Sequence, residues 1–204
     1  MIKLLGKIPH EVVVACSGGA DSMSVLSFLL NGRKKVECLF IDHLTEYGKL
    51  SKVLVENYCS KNNIPFHYFK IQGEKQKRES MEEYWRNERY KIFLSFQLPI
   101  ITCHHLDDSV ETYLFTSFRG KSKTIPYRNR NVIRPFLLNR KKDLINFCRS
   151  KNVEYIEDES NKDLKYSRNR IRHNIIPEVE KIHPGIYTVV RKKILENFKE
   201  IENV

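Results

Sequence analysis

Two short segments hold residue types that could act on a phosphorylated substrate. The first reads ACSGGADSMS over 15–24 and follows the β-branched run Val12–Val14. Glycines between a strand and a helix let backbone N–H groups turn towards an anion at the helix N-terminus. Serine hydroxyls add donors, and a carboxylate beside the anion can hold Mg²⁺. The segment therefore predicts a phosphate-binding loop with Asp21 as a Mg²⁺ ligand, although an ordinary glycine-rich turn would read similarly.

The second segment reads TCHHLDDSVET over 102–112 and follows another apolar run. If it opens a helix, His104, Asp108 and Glu111 share one face. An imidazole with two carboxylates could bind Mg²⁺, orient an amine and accept its proton. A zinc site could use the same side chains, and acidic residues in a first helical turn also stabilise the helix dipole with no further role. We leave Asp107 open between the two roles and take Asp108 and Glu111 as functional.

Apolar runs with strand character alternate with helical patterns along most of the chain. The strand-like runs are 12–16, 36–41, 66–71, 99–103 and 132–134, and the helical patterns are 21–31, 49–62, 80–96, 107–118 and 139–151. This alternation predicts an α/β fold, a doubly wound parallel five-stranded sheet with a C-terminal helical extension. We divide the chain into a nucleotide-binding catalytic domain (1–135) and a helical extension (136–204) that continues it. Ligands of such sheets bind at the carboxyl ends of the strands, where both segments fall.

The charge balance indicates a polyanionic partner. The 204 residues include 36 basic and 25 acidic side chains, for a net charge of +11, which favours nucleic acid over a membrane surface. Within 121–142 there are eight basic residues and no acidic one, and Tyr127 could stack on a base there. We call this segment the basic stripe; its basic residues are Lys121, Lys123, Arg128, Arg130, Arg134, Arg140, Lys141 and Lys142.

The sequence shows no sign of secretion or of a membrane segment. The N-terminal residues lack an apolar stretch of signal-peptide length, and no window approaches a membrane span. The five cysteines are scattered along the chain, which is typical of reduced thiols. These features predict a cytoplasmic protein with no membrane partner.

Two further segments complete a recognisable pattern. Residues 86–90 read RNERY on a predicted helix, and 166–172 read YSRNRIR. Together with the SGGADS loop and the HHLDDSVET segment, in this order, they resemble the catalytic domain of the tRNA(Ile)-lysidine synthetase family. The resemblance runs from about Val12 to Pro177, and its most distinctive part combines DESNKD (158–163) with RNRIR (168–172).

The resemblance implies a PP-loop fold and a two-step ligation. Members use ATP and Mg²⁺ to adenylate C2 of the wobble cytidine in an isoleucine tRNA with anticodon CAU, and the ε-amine of L-lysine then displaces AMP to leave lysidine. The implied ATP-binding residues are Ser17, Gly18, Gly19, Ala20, Asp21 and Ser22, with Mg²⁺ on Asp21. The implied catalytic residues are Asp21, Arg86, His104, Asp108 and Glu111, and Asn169, Arg170 and Arg172 would hold the tRNA or the phosphate side of the pocket.

Three departures from the family pattern shape the expectations about tRNA. The turn after the second strand reads DHLTEY (42–47) where members usually have an NHGLR-like turn, and the loop 120–131 is shorter and more basic than usual. The chain ends at Val204, where many members continue into C-terminal domains that grip the tRNA body. We therefore expect a minimal enzyme that could form a homodimer and that contacts tRNA through the helix 187–202 and through Lys121, Lys123, Arg128 and Arg130.

Other functions share the loop and stay open from the sequence alone. Many tRNA thiolases carry a Cys-x-x-Cys pair, which this sequence lacks. A small-molecule ligase would share the ATP site but would leave the basic stripe without a role. A non-catalytic tRNA-binding relic would be expected to have lost Asp21, His104 or Glu111, and all three are present.

Overall fold

The computed structural model describes residues 2–73, 75, 79–158 and 163–202, in which strands alternate with helices. The strands are β1 (Glu11–Ala15), β2 (Lys35–Asp42), β3 (Phe66–Lys70), β4 (Ile100–Ile101), β5 (Arg128–Asn129) and β6 (Val132–Ile133). The helices are α1 (Ala20–Asn31), α2 (Glu46–Lys61), α3 (Met81–Leu94), α4 (Leu106–Ser117), α5 (Lys141–Ser150), α6 (Ser167–Arg170), α7 (Ile176–Ile182) and α8 (Ile186–Glu202), with a π-helical turn at Ile171–Ile175. Within this described part of the chain, no helix combines the length and the apolar character that a bilayer span requires.

The strands form one sheet in the order β3-β2-β1-β4-β6-β5. The five predicted strands are present, and neighbours among them pair in parallel. One further strand, β5, was not predicted, and it pairs antiparallel with β6. It has only 2 residues, and Arg130 reverses the chain after it with a φ of 56°. Its residues are polar and form no apolar run, unlike the equally short β4 and β6, so the sequence gives no strand signal there.

Helices cover both faces of the sheet, as a doubly wound fold requires. Successive residues of β1 point to opposite faces, so Val12 and Val14 pack in one core cluster with residues of α1. Val13 packs in another cluster with Tyr84 and Phe93 of α3. Burial on both sides explains why β1 reads as an uninterrupted apolar run.

The C-terminal helices pack on α4. Leu106 and Val110 of α4 join Val190 and Ile194 of α8 in a third core cluster. The chain beyond residue 135 also reaches the main core, where Phe136 packs with residues of the sheet. The division of the chain into two domains at residue 135 stays a prediction.

The order of the strands reverses beside β1, because β2 lies on one side of it and β4 on the other. Connections leave such a switch point in opposite directions, which opens a crevice at the carboxyl ends of the two strands. Residues 16–19 follow β1, and residues 102–105 follow β4. Both predicted segments therefore border the same crevice.

Candidate active site

The loop between β1 and α1 has the conformation that its glycines permit. Gly18 has a φ of 81°, and a Cβ atom there would lie 2.9 Å from the Ser51 Cβ, so only glycine fits. The Ser17 N–H donates to Ser22 Oγ (3.1 Å), and the Ser22 hydroxyl donates to the Gly19 carbonyl (3.0 Å). Gly19 caps α1 without a side-chain hydrogen bond and lines a cavity. The first N–H groups of α1 are therefore placed to receive an anion.

A later segment of the chain closes over this loop. The Ile156 N–H donates to the Gly18 carbonyl (3.0 Å), and the Tyr47 hydroxyl donates to the Ile156 carbonyl (3.1 Å). Tyr47 is the last residue of the DHLTEY turn and Ile156 lies outside every motif, and neither was predicted to take part in the site. Their contacts come entirely from the tertiary fold.

Asp21 has an oxygen suited to a metal ion. Its Oδ1 is buried and has no hydrogen-bond partner among the described residues. A buried carboxylate oxygen without a partner is costly unless a cation or a donor joins it. Mg²⁺ is commonly held by one or two carboxylates and completes its shell with substrate phosphate oxygens and water. Asp21, at the start of α1, fits that arrangement.

His105 lies among three carboxylates, those of Asp21, Asp107 and Asp108. His105 Nε2 is 3.5 Å from Asp21 Oδ2, and its Nδ1 is 3.4 Å from Asp108 Oδ2. Burial disfavours the charged imidazole, but the carboxylates of Asp108 and Asp21 outweigh it and raise the pKa of His105 to about 9. His105 is therefore charged at pH 7 and links the loop to α4. His105 was not among the predicted site residues, although its place beside His104 in the HHLDDSVET segment could have indicated it.

The prediction that His104 shares a helix face with Asp108 and Glu111 is wrong. Helix α4 begins at Leu106 with His105 as its extended N-cap, so His104 lies before the helix. His104 Nδ1 is 3.0 Å from Thr102 Oγ1. Burial lowers the pKa of His104 to about 4, so its ring is neutral at pH 7.

Asp108 and Glu111 do lie together on α4, and Arg172 meets both. Arg172 donates to Glu111 through two N–H groups (2.6 and 3.1 Å), and its NH2 is 3.7 Å from Asp108 Oδ1. Burial raises the pKa of Glu111 although Arg172 opposes that shift. Burial acts likewise on Asp108, but His105, His104 and Arg172 outweigh it and lower its pKa. Arg172 therefore belongs to the interior of the site, whatever contact it makes with tRNA.

Two neighbours of Arg172 in the RNRIR segment bind backbone carbonyls of residues 163 and 164. Asn169 is buried and donates to the Asp163 carbonyl (2.8 Å). Arg170 is exposed, and its Nε donates to the Leu164 carbonyl (2.8 Å). Ser160 and Asn161 of the distinctive DESNKD segment lie outside the described residues.

Two adjoining cavities open at the loop. The larger has a volume of about 580 Å³ and is bordered by the loop, Tyr47, Lys141, Ile156 and Arg172 among others. The smaller, of about 300 Å³, reaches the predicted residue Arg86 and its neighbours on α3. Four residues line both cavities: Ser17, Asp21, Ile41 and His43. Asp21 therefore stands where the two spaces meet, and both volumes are of the size that small-molecule sites have.

Three arginines contribute to the lining of the smaller cavity. Arg86, Arg89 and Arg134 line it, together with His104 and Asp108. Arg134 is 4% exposed and donates to the Pro126 carbonyl (2.9 Å) and the Tyr90 hydroxyl (2.9 Å). Arg86 therefore lines the cavity that adjoins the loop, and its contact with a nucleotide stays a prediction.

The basic stripe divides between surface and interior. Lys121, Lys123, Arg128 and Arg130, the residues predicted to contact tRNA, are exposed. Arg134 is buried, and Arg140 lies 3.1 Å from Asp107, whose carboxylate also accepts from the Lys141 N–H (2.8 Å). Asp107 therefore has the structural role.

Tyr127 packs edge-on against Phe198 of α8 (4.8 Å between centroids), so its expected stacking on a base gives way to core packing.

Comparisons with known proteins agree with this geometry. A family model described as PP-loop domain matches residues 3–179. The chain is similar to a tRNA(Ile)-lysidine synthase from Aster yellows witches'-broom phytoplasma (strain AYWB), with 31% identity over 81% of the chain and 40% of the relative. It is also similar to a tRNA(Ile)-lysidine synthase from Staphylococcus aureus (strain COL), with 33% identity over 85% of the chain and 45% of the relative. The chain thus spans less than half the length of these curated relatives.

A solved structure supports the fold. NMN synthetase from Francisella tularensis superposes with a TM-score of 0.52 and 12% identity, over 92% of this chain and 86% of that one. At this identity the likeness concerns the fold alone. It agrees with the predicted doubly wound α/β architecture.

Proposed function

The chain belongs to the PP-loop domain family, and on that premise we propose that it joins L-lysine to C2 of the wobble cytidine in tRNA(Ile) with anticodon CAU. ATP would be the activating substrate, and lysidine, AMP and pyrophosphate the products. The observation that carries the proposal is the placement of Asp108 and Glu111 beside the Asp21 loop, through His105 and Arg172. The relatives named tRNA(Ile)-lysidine synthase support the same reaction.

In the first step, the cytosine O2 attacks the α-phosphorus of ATP, an O–P bond forms, and pyrophosphate leaves. The N–H groups at the start of α1 would bind the departing pyrophosphate. Mg²⁺, when bound to Asp21, would offset charge on the phosphate oxygens. Arg86, from the smaller cavity, would contact the phosphates or the adenylate.

In the second step, the lysine ε-amine attacks C2, and the C2–O bond to AMP breaks. An ammonium group has no lone pair to attack with, so the amine must first lose a proton. Asp108, whose pKa is lowered, would bind the ammonium as an ionised carboxylate. Glu111, whose pKa is raised by burial, would accept the proton while Arg172 holds its carboxylate in place.

The tRNA and the cell compartment belong to the same proposal. The exposed residues of the basic stripe offer positive charge for the phosphates of the anticodon arm. The five cysteines are free thiols, which suits the reducing cytoplasm. A homodimer stays a prediction that light scattering of the purified protein would check.

The test measures pyrophosphate release with CAU-anticodon tRNA(Ile) and ATP, with and without lysine, followed by mass analysis of the wobble nucleoside. A lysine-dependent gain of one lysyl unit on cytidine is the expected result. Release of pyrophosphate without lysyl transfer would retain the ATP site and redirect the search to a sulfur or other donor. No release of pyrophosphate with any tRNA would contradict an enzymatic role and favour a binding protein.

A further inference from the structure

We infer that Trp85 is a stacking surface for a nucleobase on the wall of the larger cavity. The inference deepens the proposed function, since it assigns a base-binding residue to the same site. Trp85 lies on α3 and played no part in the sequence-based site. It is the only tryptophan of the chain.

The contacts of Trp85 fix its ring at the cavity wall. The indole is partly buried and packs against the core cluster that holds Val13 and Phe93. It also meets the His43 ring edge-to-face, with 5.3 Å between centroids and 79° between planes. Both rings line the larger cavity. A ring held by core packing and by a second ring loses little freedom when a base stacks on it.

Side chains of two chemical kinds line the larger cavity. Phe40 and Ile41 line it together with Trp85 and His43, whereas the charged lining side chains include Asp21 and Lys141. Burial and the nearby Arg89 lower the pKa of His43 to about 4, so this ring is uncharged at pH 7. A cavity that offers both aromatic or apolar groups and charged groups suits both parts of a nucleotide, its base and its phosphates.

Two bases could take this place, and they share one chemistry. The adenine of ATP and the wobble cytosine of the tRNA both present a planar π face, and stacking on an aromatic side chain tolerates either. Removing such a stacking side chain weakens binding by roughly 5- to 150-fold, which is the fold-change equivalent of the usual stacking energy. The ligand whose binding responds to Trp85 identifies the base.

The single tryptophan makes the experiment direct, because emission excited at a wavelength that the 10 tyrosines do not absorb reports Trp85 alone. We would titrate the protein with a non-hydrolysable ATP analogue and, separately, with a CAU-anticodon stem-loop RNA. Quenching of the emission by one ligand is expected. Trp85→Leu should weaken that same ligand at least about fivefold, and Trp85→Phe should restore most of the affinity. Ile92→Val, on the same helix and core cluster, serves as the control and should leave both affinities unchanged.

The outcomes separate this inference from the proposed function. If neither ligand changes the emission and Trp85→Leu binds both as the unaltered protein does, Trp85 is a core residue only and the inference is wrong. A protein that makes lysidine with unresponsive emission keeps the function and loses the stacking site. A protein whose emission responds but which makes no lysidine keeps the stacking site and loses the function. Thermal unfolding of each variant shows that it is folded.

Discussion

Arg172 and Glu111, separated by 61 residues in the chain, are joined by a two-point ion pair of 2.6 and 3.1 Å. Glu111 is 1% exposed, so this pair is a buried one that links α4 to the π-helical turn. A π-helical turn inside a helical stretch often marks a functional site, since it moves a side chain out of the regular register. The pair therefore positions a buried carboxylate whose pKa is raised next to Asp108, whose pKa is lowered.

The carboxylates of α4 should matter more for lysine transfer than for adenylation. Glu111→Gln and Asp108→Asn should each slow lysyl transfer by about 100-fold or more, the scale of lost acid–base catalysis. Adenylation should change much less, because it needs no amine. Separate assays of pyrophosphate release and of lysidine formation measure the two steps. Asp107→Asn, on the same helix, should leave their ratio unchanged: Asp107 holds Arg140 and the start of α5 and faces His105, so its loss should affect both steps alike. Equal losses in both steps would contradict this division.

Asp21 should act on the first step through Mg²⁺. Asp21→Asn keeps the shape of the side chain and removes its charge, so pyrophosphate release should fall by about 100-fold, as for other groups that stabilise developing charge. Raising the Mg²⁺ concentration should recover part of the rate. The rate is measured across a Mg²⁺ titration for both proteins. Unchanged release at limiting Mg²⁺ would show that Asp21 does not hold the ion.

His105 should make stability fall as the pH rises. Its pKa of about 9 in the folded protein exceeds the ordinary value of 6.5. Its contribution to the free energy of unfolding is therefore complete below pH 6.5 and is lost as the pH rises through 9. The loss amounts to at most about 3 kcal/mol of unfolding free energy. Urea unfolding at pH 6.5, 8 and 9.5 measures it. His105→Gln should be less stable at pH 6.5 and should lack this decline; parallel curves for the two proteins would refute the assignment.

The exposed part of the basic stripe should govern affinity for tRNA. Replacing Lys121, Lys123, Arg128 and Arg130 by Glu should weaken tRNA binding by roughly 100-fold or more and flatten its dependence on salt. Affinity for ATP should stay the same. A matched reversal of four other exposed residues, Arg33, Lys61, Arg149 and Lys151, controls for net charge. Filter binding at several salt concentrations measures both; equal losses in the two variants would show that only total charge matters.

The local sequence was sufficient for five of the six strands and for the turn that follows β1. Val12–Val14 predicts a buried strand and the SGG sequence predicts the turn, because both depend on residues within a few positions of each other. The left-handed φ of Gly18 confirms the expectation that glycine is needed there. Strand β5 was not predicted because its two residues, Arg128 and Asn129, are polar and form no apolar run.

The contacts between side chains in the site depended on the fold and could not be derived from the spacing of residues in the sequence. Sequence spacing predicted that His104 shares a helix face with Asp108 and Glu111, but α4 starts only at Leu106. Its N-cap, His105, is the histidine that lies beside Asp108. Composition put Arg134 and Tyr127 on a surface stripe, whereas packing against Tyr90 and Phe198 took both inward. In each case the residue type indicated the chemistry, but the sequence did not indicate the direction in which the side chain points.

The sequence by itself determined the α/β alternation, the glycine loop and the presence of carboxylates at two strand ends, since periodicity and backbone freedom are local properties. Only the tertiary structure decided that His105 lies between Asp21 and Asp108, that Arg172 meets Glu111, and that Trp85 borders the larger cavity. Those relationships arise where the strand order reverses and the C-terminal helices pack on α4. They depend on the packing of elements far apart in the chain, which no short-range pattern encodes.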